Sequence, residues 1–184
     1  YKRQEAKENK FLGVCINPLY VSFAKENLKD SDVKTVTVVG FPLGASRSDV
    51  KAFETSKAVE DGADEVDMVI NVSKLKDKDY DFIVNDIKTV KAACNGKPLK
   101  VILETDLLEK DEIKKACELC IEAKADFVKT STGFVKGGAG AKAEDVKLMY
   151  ETVSPYGLKV KASGGIRDKA VSYTHLRAHE TRGN

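Results

Sequence analysis

The 184-residue chain has no tryptophan, only two histidines and four cysteines, and no long apolar run. Without about 20 consecutive apolar residues, a membrane-spanning helix is not expected. Residues 1–9 have no apolar core, which excludes a signal peptide, and the start at Tyr1 indicates that the natural start lies upstream. The net charge of +2 is too small to favour binding to nucleic acid or to an anionic membrane. The composition is that of a soluble globular domain.

The four cysteines do not form a disulfide framework for a chain of this size, so a reducing, cytoplasmic setting is predicted. Cys117 and Cys120 form a C-x-x-C motif in a stretch with helical spacing, and both fall on its apolar face. Because no second cysteine pair completes a zinc site, the sequence predicts that they pack in the core.

Short apolar strands alternate with amphipathic helical stretches along the whole chain. The predicted strands are Phe11–Ile16, Thr35–Phe41, Ala63–Ile70, Leu99–Thr105, Phe127–Thr132 and Lys159–Ser163. The predicted helices are Leu19–Lys29, Ser48–Glu60, Tyr80–Ala93, Asp111–Ala123 and Ala143–Thr152. The strand centres recur at the spacing of a βα unit, which predicts one α/β domain with a parallel sheet.

Two parallel architectures fit this alternation, a closed barrel and an open doubly wound sheet. The glycine-rich first turn of a nucleotide-binding open sheet, G-x-G-x-x-G, is absent. Polar residues instead recur at the predicted carboxyl ends of the strands, where a barrel would place them around one mouth: Asn17, Asp67, Glu104, Lys129 and Lys161. A TIM (β/α)8 barrel is favoured, but only six of its eight strands are visible, so we predict an incomplete barrel.

Lys129 is the most informative residue, a lone amine near the end of an apolar, β-branched run. A buried lysine tends to lose its proton and then becomes a nucleophile. Lys161 lies in a similar run, and two neighbouring amines would lower each other's pKa further. This pair predicts Schiff-base chemistry on a carbonyl substrate.

Side chains in a strand alternate between its two faces, so the phase of the charged residues can be compared. If the charged phase faces the barrel interior, six side chains could converge there: Cys15, Asp67, Lys100, Glu104, Lys129 and Lys161. For Lys100 and Glu104, a purely structural ion pair is an equally good interpretation.

Glycines mark the candidate phosphate site. Gly164 and Gly165 directly follow the last predicted strand, with Arg167 close by, and glycine lets the backbone approach an anion. A second flexible loop follows the strand of Lys129 and contains Gly137, Gly138 and Gly140. Loops after the last barrel strands are a common place for phosphate.

The chain resembles the deoxyribose-phosphate aldolase family of class I aldolases, which are (β/α)8 barrels. The resemblance spans residues 1–170 and is carried by the motifs at 14–18 (VCINP), 39–44 (VGFPLG), 62–71 (GADEVDMVIN), 100–105 (KVILET), 126–134 (DFVKTSTGF) and 160–167 (VKASGGIR). The last two motifs are the most specific.

The resemblance implies reversible cleavage of 2-deoxy-D-ribose 5-phosphate to acetaldehyde and D-glyceraldehyde 3-phosphate. It makes Lys129 the Schiff-base lysine, Lys161 the lysine that tunes it, and Asp67 the proton-relay carboxylate. The other implied residues are pocket-lining Cys15, Lys100 and Thr132, and the phosphate neighbours Gly133, Gly164, Gly165 and Arg167. It implies no cofactor and no metal, a small phosphorylated sugar as the partner, and a homodimer.

The chain departs from the family pattern at both ends. The family's first strand is absent, and after Arg167 the expected helix and eighth strand do not follow. We therefore interpret residues 1–170 as a partial barrel and residues 171–184 as a foreign tail that resembles translated sequencing adaptor. His175 and His179 lie in that tail, where their spacing is interpreted as accidental. The alternatives are another phosphosugar barrel enzyme, either a transaldolase-like lyase or an epimerase using Asp67, and an inactive truncated chain.

Overall fold

The structure is a computed structural model that describes residues 11–166. Arg167 and the predicted tail at 171–184, including His175 and His179, lie outside the described residues.

Six strands and six α-helices alternate along the described chain. The strands are β1 (Gly13–Ile16), β2 (Lys34–Val39), β3 (Glu65–Val69), β4 (Leu99–Ile102), β5 (Phe127–Lys129) and β6 (Lys159–Lys161). The helices are α1 (Val21–Leu28), α2 (Ser48–Glu60), α3 (Val72–Lys76), α4 (Tyr80–Ala93), α5 (Lys110–Glu122) and α6 (Ala143–Val153). Three short 3-10 turns accompany them, at Pro18–Tyr20, Thr105–Leu107 and Ser154–Tyr156.

The strand order decides between the two predicted architectures. All strands are parallel, and each pairs with its neighbours in the chain, in the order β1-β2-β3-β4-β5-β6. A doubly wound sheet reverses its order at a switch point, whereas a barrel keeps the sequential order. The described residues therefore form a half-barrel, in which the helices that follow the strands cover the outer face.

Local sequence explains the element boundaries. Strands β3 and β4 are buried along their whole length, as expected for parallel strands that are covered on both faces. Helix α4 begins at Asp79, whose carboxylate accepts the N–H of Phe82, and α5 begins at Glu109, whose N–H donates to the Glu112 carboxylate at 2.8 Å. Both arrangements satisfy polar groups that a helix N-terminus leaves unpaired.

The main core lies between the sheet and the helices and is built mostly of aliphatic side chains, among them Met68, Ile70, Ile83, Ile87 and Leu99. Cys117 and Cys120 belong to this core, which confirms their predicted packing role. Burial raises the pKa of the Cys117 thiol to about 12, which keeps it protonated and unreactive.

One fully buried ion pair crosses this core. Lys51 on α2 donates to Asp86 Oδ2 on α4 at 2.6 Å and to the Val69 carbonyl at the end of β3 at 3.1 Å. Both charged side chains have 0% exposure. The pair thus links two outer helices to the carboxyl end of a central strand.

The six predicted strands are all present, but most are shorter than predicted. Strands β4, β5 and β6 end at residues 102, 129 and 161, so Glu104, Thr132 and Ser163, which were predicted as strand residues, lie in loops. Helix α3 was not predicted, since five residues are too few to show a helical period. Within residues 11–166, no helix is long and apolar enough to span a membrane.

Candidate active site

Asp67, in the middle of β3, is the centre of a cluster of three lysines, two of which, Lys129 and Lys161, are the last residues of β5 and β6. Its Oδ2 accepts hydrogen bonds from Lys129 Nζ at 2.7 Å and from Lys161 Nζ at 3.5 Å. Its Oδ1 accepts one from Lys100 Nζ at 2.9 Å. Asp67 has 0% exposure, and Lys129 and Lys100 are also buried. A single carboxylate thus serves three amines.

The strand register explains why these residues meet. In the strand register, Asp67 is paired with Lys100, and Lys129 is paired with Lys161. The second pair lies one layer of side chains closer to the carboxyl ends of the strands, which form the mouth. Alternation places all four side chains on the inner face of the curved sheet. The structure therefore brings together Asp67, Lys100, Lys129 and Lys161 as the phase of the sequence predicted; their roles stay a prediction.

Lys100 takes part in an ion pair, but not with Glu104. Besides Asp67, its partner is Glu65, the first residue of β3, and Glu65 also accepts from Lys34 at 2.8 Å. The Lys100–Glu104 pairing considered from the sequence is therefore wrong. Glu65 was missed, although it lies two residues before Asp67 in the same phase and could have been found by that signal.

The charges in the cluster shift the pKa values in different directions. Burial alone would raise the pKa of Asp67, but the nearby Lys129, Lys161 and Lys100 outweigh burial and lower it. Burial lowers the pKa of Lys161; Asp67 opposes that shift, and the charges of Lys129 and Lys100 reinforce it. Burial alone would lower the pKa of Lys100 as well, but the Asp67 and Glu65 carboxylates outweigh burial and raise it. Lys161 is therefore biased towards the neutral amine and Lys100 towards the ammonium.

Glu104 binds the start of the loop that follows β5. Its backbone is left-handed, with φ of 61°, and its carboxylate accepts the N–H of Thr132 at 3.1 Å and also the Thr132 hydroxyl. The N–H of Phe134 in turn donates to Thr132 Oγ1 at 3.0 Å. The Phe134 ring meets Phe41, from the loop after β2, edge to face at 5.2 Å. Thr132 is thus held at the mouth, beside an aromatic contact between two loops.

All of the predicted glycines except Gly137 line one cavity of about 390 Å³. It is lined by Glu104, Asp106, Gly133, Val135, Gly138, Ala139, Gly140, Gly164 and Gly165. Gly133, Gly164 and Gly165 all have positive φ, which glycine adopts without strain. Backbone amides that converge in such loops form a concave site suited to an anion.

Two further predicted residues remain. Cys15 lies on β1 at one edge of the described sheet and is exposed. Reduced hydration, and then the Asp67 carboxylate, raise the pKa of the Cys15 thiol, so it stands within electrostatic reach of the cluster. Arg167 lies outside the described residues.

Among residues 11–166, no group of three or more histidine, cysteine or acidic side chains is placed to hold a metal ion.

The geometry suits amine chemistry on an aldehyde. Lys129 offers a primary amine at the mouth, and Asp67 and Lys161 offer sites that can take up and return protons within hydrogen-bond reach. The glycine cavity next to them offers space for an anionic end of the same molecule.

The chain is similar in sequence and in fold to known aldolases. The family described as DeoC/LacD family aldolase matches residues 3–184. A deoxyribose-phosphate aldolase from an Exiguobacterium species is 57% identical over 97% of this chain and 80% of its own length. A solved structure described as QR15, an aldolase, has a TM-score of 0.91 at 42% identity over 96% of this chain and 78% of its own. The tetrameric deoxyribose phosphate aldolase from Aeropyrum pernix has a TM-score of 0.86 at 31% identity, over 96% of this chain and 74% of its own.

Proposed function

The chain belongs to the DeoC/LacD aldolase family, and from this premise we propose that Lys129 is the residue that carries its chemistry. The reaction is the reversible cleavage of 2-deoxy-D-ribose 5-phosphate to acetaldehyde and D-glyceraldehyde 3-phosphate. The observation that carries the assignment is the buried contact of 2.7 Å between Lys129 Nζ and Asp67 Oδ2, with Lys161 Nζ on the same oxygen.

Lys129 acts as the nucleophile. Its neutral amine adds to the aldehyde carbon of the open-chain sugar, and loss of water from the adduct gives an iminium ion. A base removes the proton of the C3 hydroxyl while the iminium draws the electron pair of the C2–C3 bond towards itself. That bond breaks, which releases glyceraldehyde 3-phosphate and leaves an enamine. Protonation of the enamine carbon and hydrolysis then release acetaldehyde and restore the amine.

Asp67 and Lys161 move the protons that these steps need. Asp67 Oδ2 already holds a proton donor on each side, so it can relay a proton between the two amines. Because its pKa is lowered, Lys161 gives up a proton more readily than an ordinary lysine. Lys100 keeps its charge, which supports Asp67 as a carboxylate. Thr132 and Cys15 would line the pocket.

The glycine cavity would take the phosphate end of the substrate. The Schiff base fixes C1 at Lys129, so the phosphate on C5 must lie away from it, towards the mouth. Gly133, Gly164 and Gly165 lie there on the loops after β5 and β6. Their positive φ values and their position in sequence just after Lys129 and Lys161 support this placement, and Arg167, two residues after Gly165 in the sequence, would add a positive charge.

Reductive trapping tests the proposal. The chain is incubated with 2-deoxyribose 5-phosphate and borohydride, digested, and mapped by mass spectrometry. We expect a reduced adduct on Lys129 and its absence in Lys129→Met. The adduct should be retained in Lys136→Met, which removes an exposed lysine from the loop that follows β5. Turnover without any adduct would contradict the Schiff base and favour an epimerase-like use of Asp67.

Three broader features are proposals of the same kind. The half-barrel order supports a complete (β/α)8 architecture for the family fold. The exposed apolar side chains Leu19, Leu43 and Phe53 support a homodimer, which light scattering would detect as twice the chain mass. The four unpaired cysteines support a cytoplasmic setting.

A further inference from the structure

Asp106 lies in the turn after β4 and reaches across to the loop that follows β5. Its Oδ2 accepts the N–H of Gly140 at 2.8 Å and its Oδ1 accepts the N–H of Ala139 at 3.3 Å. Lys142 Nζ stands 3.6 Å from Oδ1. The Asp106 side chain is only 8% exposed. These contacts use both carboxylate oxygens on one short segment of the glycine loop.

The segment held by Asp106 packs directly on the loop after β6. A Cβ on Gly140 would lie 2.4 Å from the carbonyl carbon of Gly164, and a Cβ on Gly165 would lie 2.5 Å from Ala139 O. The N–H of Ala141 donates to Gly164 O at 3.1 Å. Any shift of residues 139–141 therefore moves Gly164 or opens a gap beside it.

Two acidic residues of one turn thus hold both ends of the same loop. Glu104 binds Thr132 at the start of the loop, and Asp106 binds Ala139 and Gly140 near its end. The backbone between them, which includes Gly133 and Gly138, forms one wall of the cavity. A Cβ on Gly138 would lie 2.6 Å from Asp106 Oδ2, so the close approach requires glycine there.

We propose that Asp106 is a positioning residue for the phosphate end of the substrate, because it fixes the glycine loop against Gly164. The inference rests on the proposed function, which places phosphate in this cavity. Asp106 acts through the loop and not on the reacting carbon. Its removal therefore impairs recognition of the phosphate and leaves the chemistry at Lys129 intact.

The test compares cleavage of 2-deoxyribose 5-phosphate with cleavage of unphosphorylated 2-deoxyribose. In Asp106→Ala, we expect kcat/KM for the phosphorylated sugar to fall about 10-fold or more, mostly through KM, since small misplacements of binding groups are costly. The value for the unphosphorylated sugar should stay within about twofold. Asp106→Asn, which keeps one acceptor oxygen, should lie between, and Asp111→Ala, an exposed acid on α5, should match the unmodified chain.

An equal fall for both sugars would overturn the proposal, because that result indicates general loss of structure. A rise in preference for the phosphorylated sugar would also overturn it, since Asp106 would then merely repel the phosphate.

A readout without turnover separates this inference from the proposed function. Inorganic phosphate should raise the melting temperature of the unmodified chain, and Asp106→Ala should lose most of that rise. If the phosphate effect is present but Lys129 forms no adduct, the proposed chemistry fails while the phosphate site stands.

Discussion

Lys129 and Asp67 form a hydrogen bond of 2.7 Å although their strands, β5 and β3, are separated by β4. In a flat sheet, strands two positions apart lie roughly 9–10 Å apart. The curvature of the half-barrel and the length of the lysine side chain on its concave face together close that distance. The contact is therefore a consequence of barrel curvature, and a variant that alters it probes both the chemistry and the fold.

Replacement of Asp67 by asparagine should lower kcat/KM by about 10²–10⁴-fold, the range for loss of a proton-transfer group. It also removes the counter-charge of three amines, and loss of one partner from a buried ion pair costs about 3–5 kcal/mol of unfolding free energy. Activity assays and urea unfolding at pH 7 measure the two effects. Asp81→Asn removes an exposed acid on α4 and should change neither.

The stability effect of Asp67 should depend on pH. Because its folded pKa is lowered, its carboxylate contributes stability above the unfolded value of about 3.9, and this contribution is lost as the pH falls through the lowered value. The difference in unfolding free energy between the unmodified chain and Asp67→Asn should shrink in acid. A difference that stays constant from pH 7 to pH 3 would contradict the lowered pKa.

Lys161→Gln should separate activity from stability. Loss of a tuning and proton-transfer group should lower kcat by about 10²-fold. The lowered pKa of Lys161 means that the unfolded chain binds more protons between that value and about 10.4, so this group makes stability rise with pH across that window. Urea unfolding at pH 8 and pH 10 should show that the unfolding free energy of the unmodified chain rises relative to that of Lys161→Gln as the pH increases. The opposite trend would show that the Asp67 contact dominates.

The amphipathic periods predicted most of the fold but not all of the site. Lys129 and Lys161 stood out because a lone amine in a β-branched run is costly to bury. Their contact with Asp67 was also predicted, because side chains alternate between the two faces of a strand and all three fall in the same phase. Asp106 could not be found this way, since it reaches the loop from a 3-10 turn that follows the left-handed Glu104, and strand phase is lost at that point.

Lys51 shows the same limit in the core. The buried face of α2 carries Lys51, Thr55 and Ala58, whereas Val50 and Phe53 are exposed, so no apolar pattern marks that face. The partner Asp86 lies 35 residues further on. No short-range pattern connects the two. Sequence periodicity shows the buried face only where that face is apolar, and the identity of a polar partner on another element depends on how the elements pack.

The Lys51–Asp86 pair gives a stability prediction. Lys51→Met should cost about 3–5 kcal/mol, because it leaves the Asp86 charge buried without a partner. The double variant Lys51→Met with Asp86→Leu should recover most of that loss, since a well-packed apolar pair often replaces a buried ion pair without penalty. Denaturant unfolding of both single variants and the double variant measures the coupling. Additive losses would show that the two charges do not stabilise each other.

The contact between Phe41 and Phe134 gives a prediction at the mouth. Phe41→Leu and Phe134→Leu should show a coupling of about 0.5 kcal/mol in a double-mutant cycle on unfolding, the low end for an aromatic pair because Phe134 is 69% exposed. Phe53→Leu, an exposed ring on α2, should not couple with Phe134→Leu. Zero coupling between Phe41 and Phe134 would mean that the two loops move independently.

The sharing of Asp67 by three amines has a consequence for how the neutral nucleophile is formed. Glu65 is a second carboxylate partner of Lys100, so Lys100, Lys129 and Lys161 face two carboxylates, and this cluster has a surplus of one positive charge while Lys129 and Lys161 are both protonated. Release of a proton from either amine removes the surplus and leaves a balanced pair. A neutral nucleophile therefore forms without leaving the Asp67 carboxylate isolated from a positive partner.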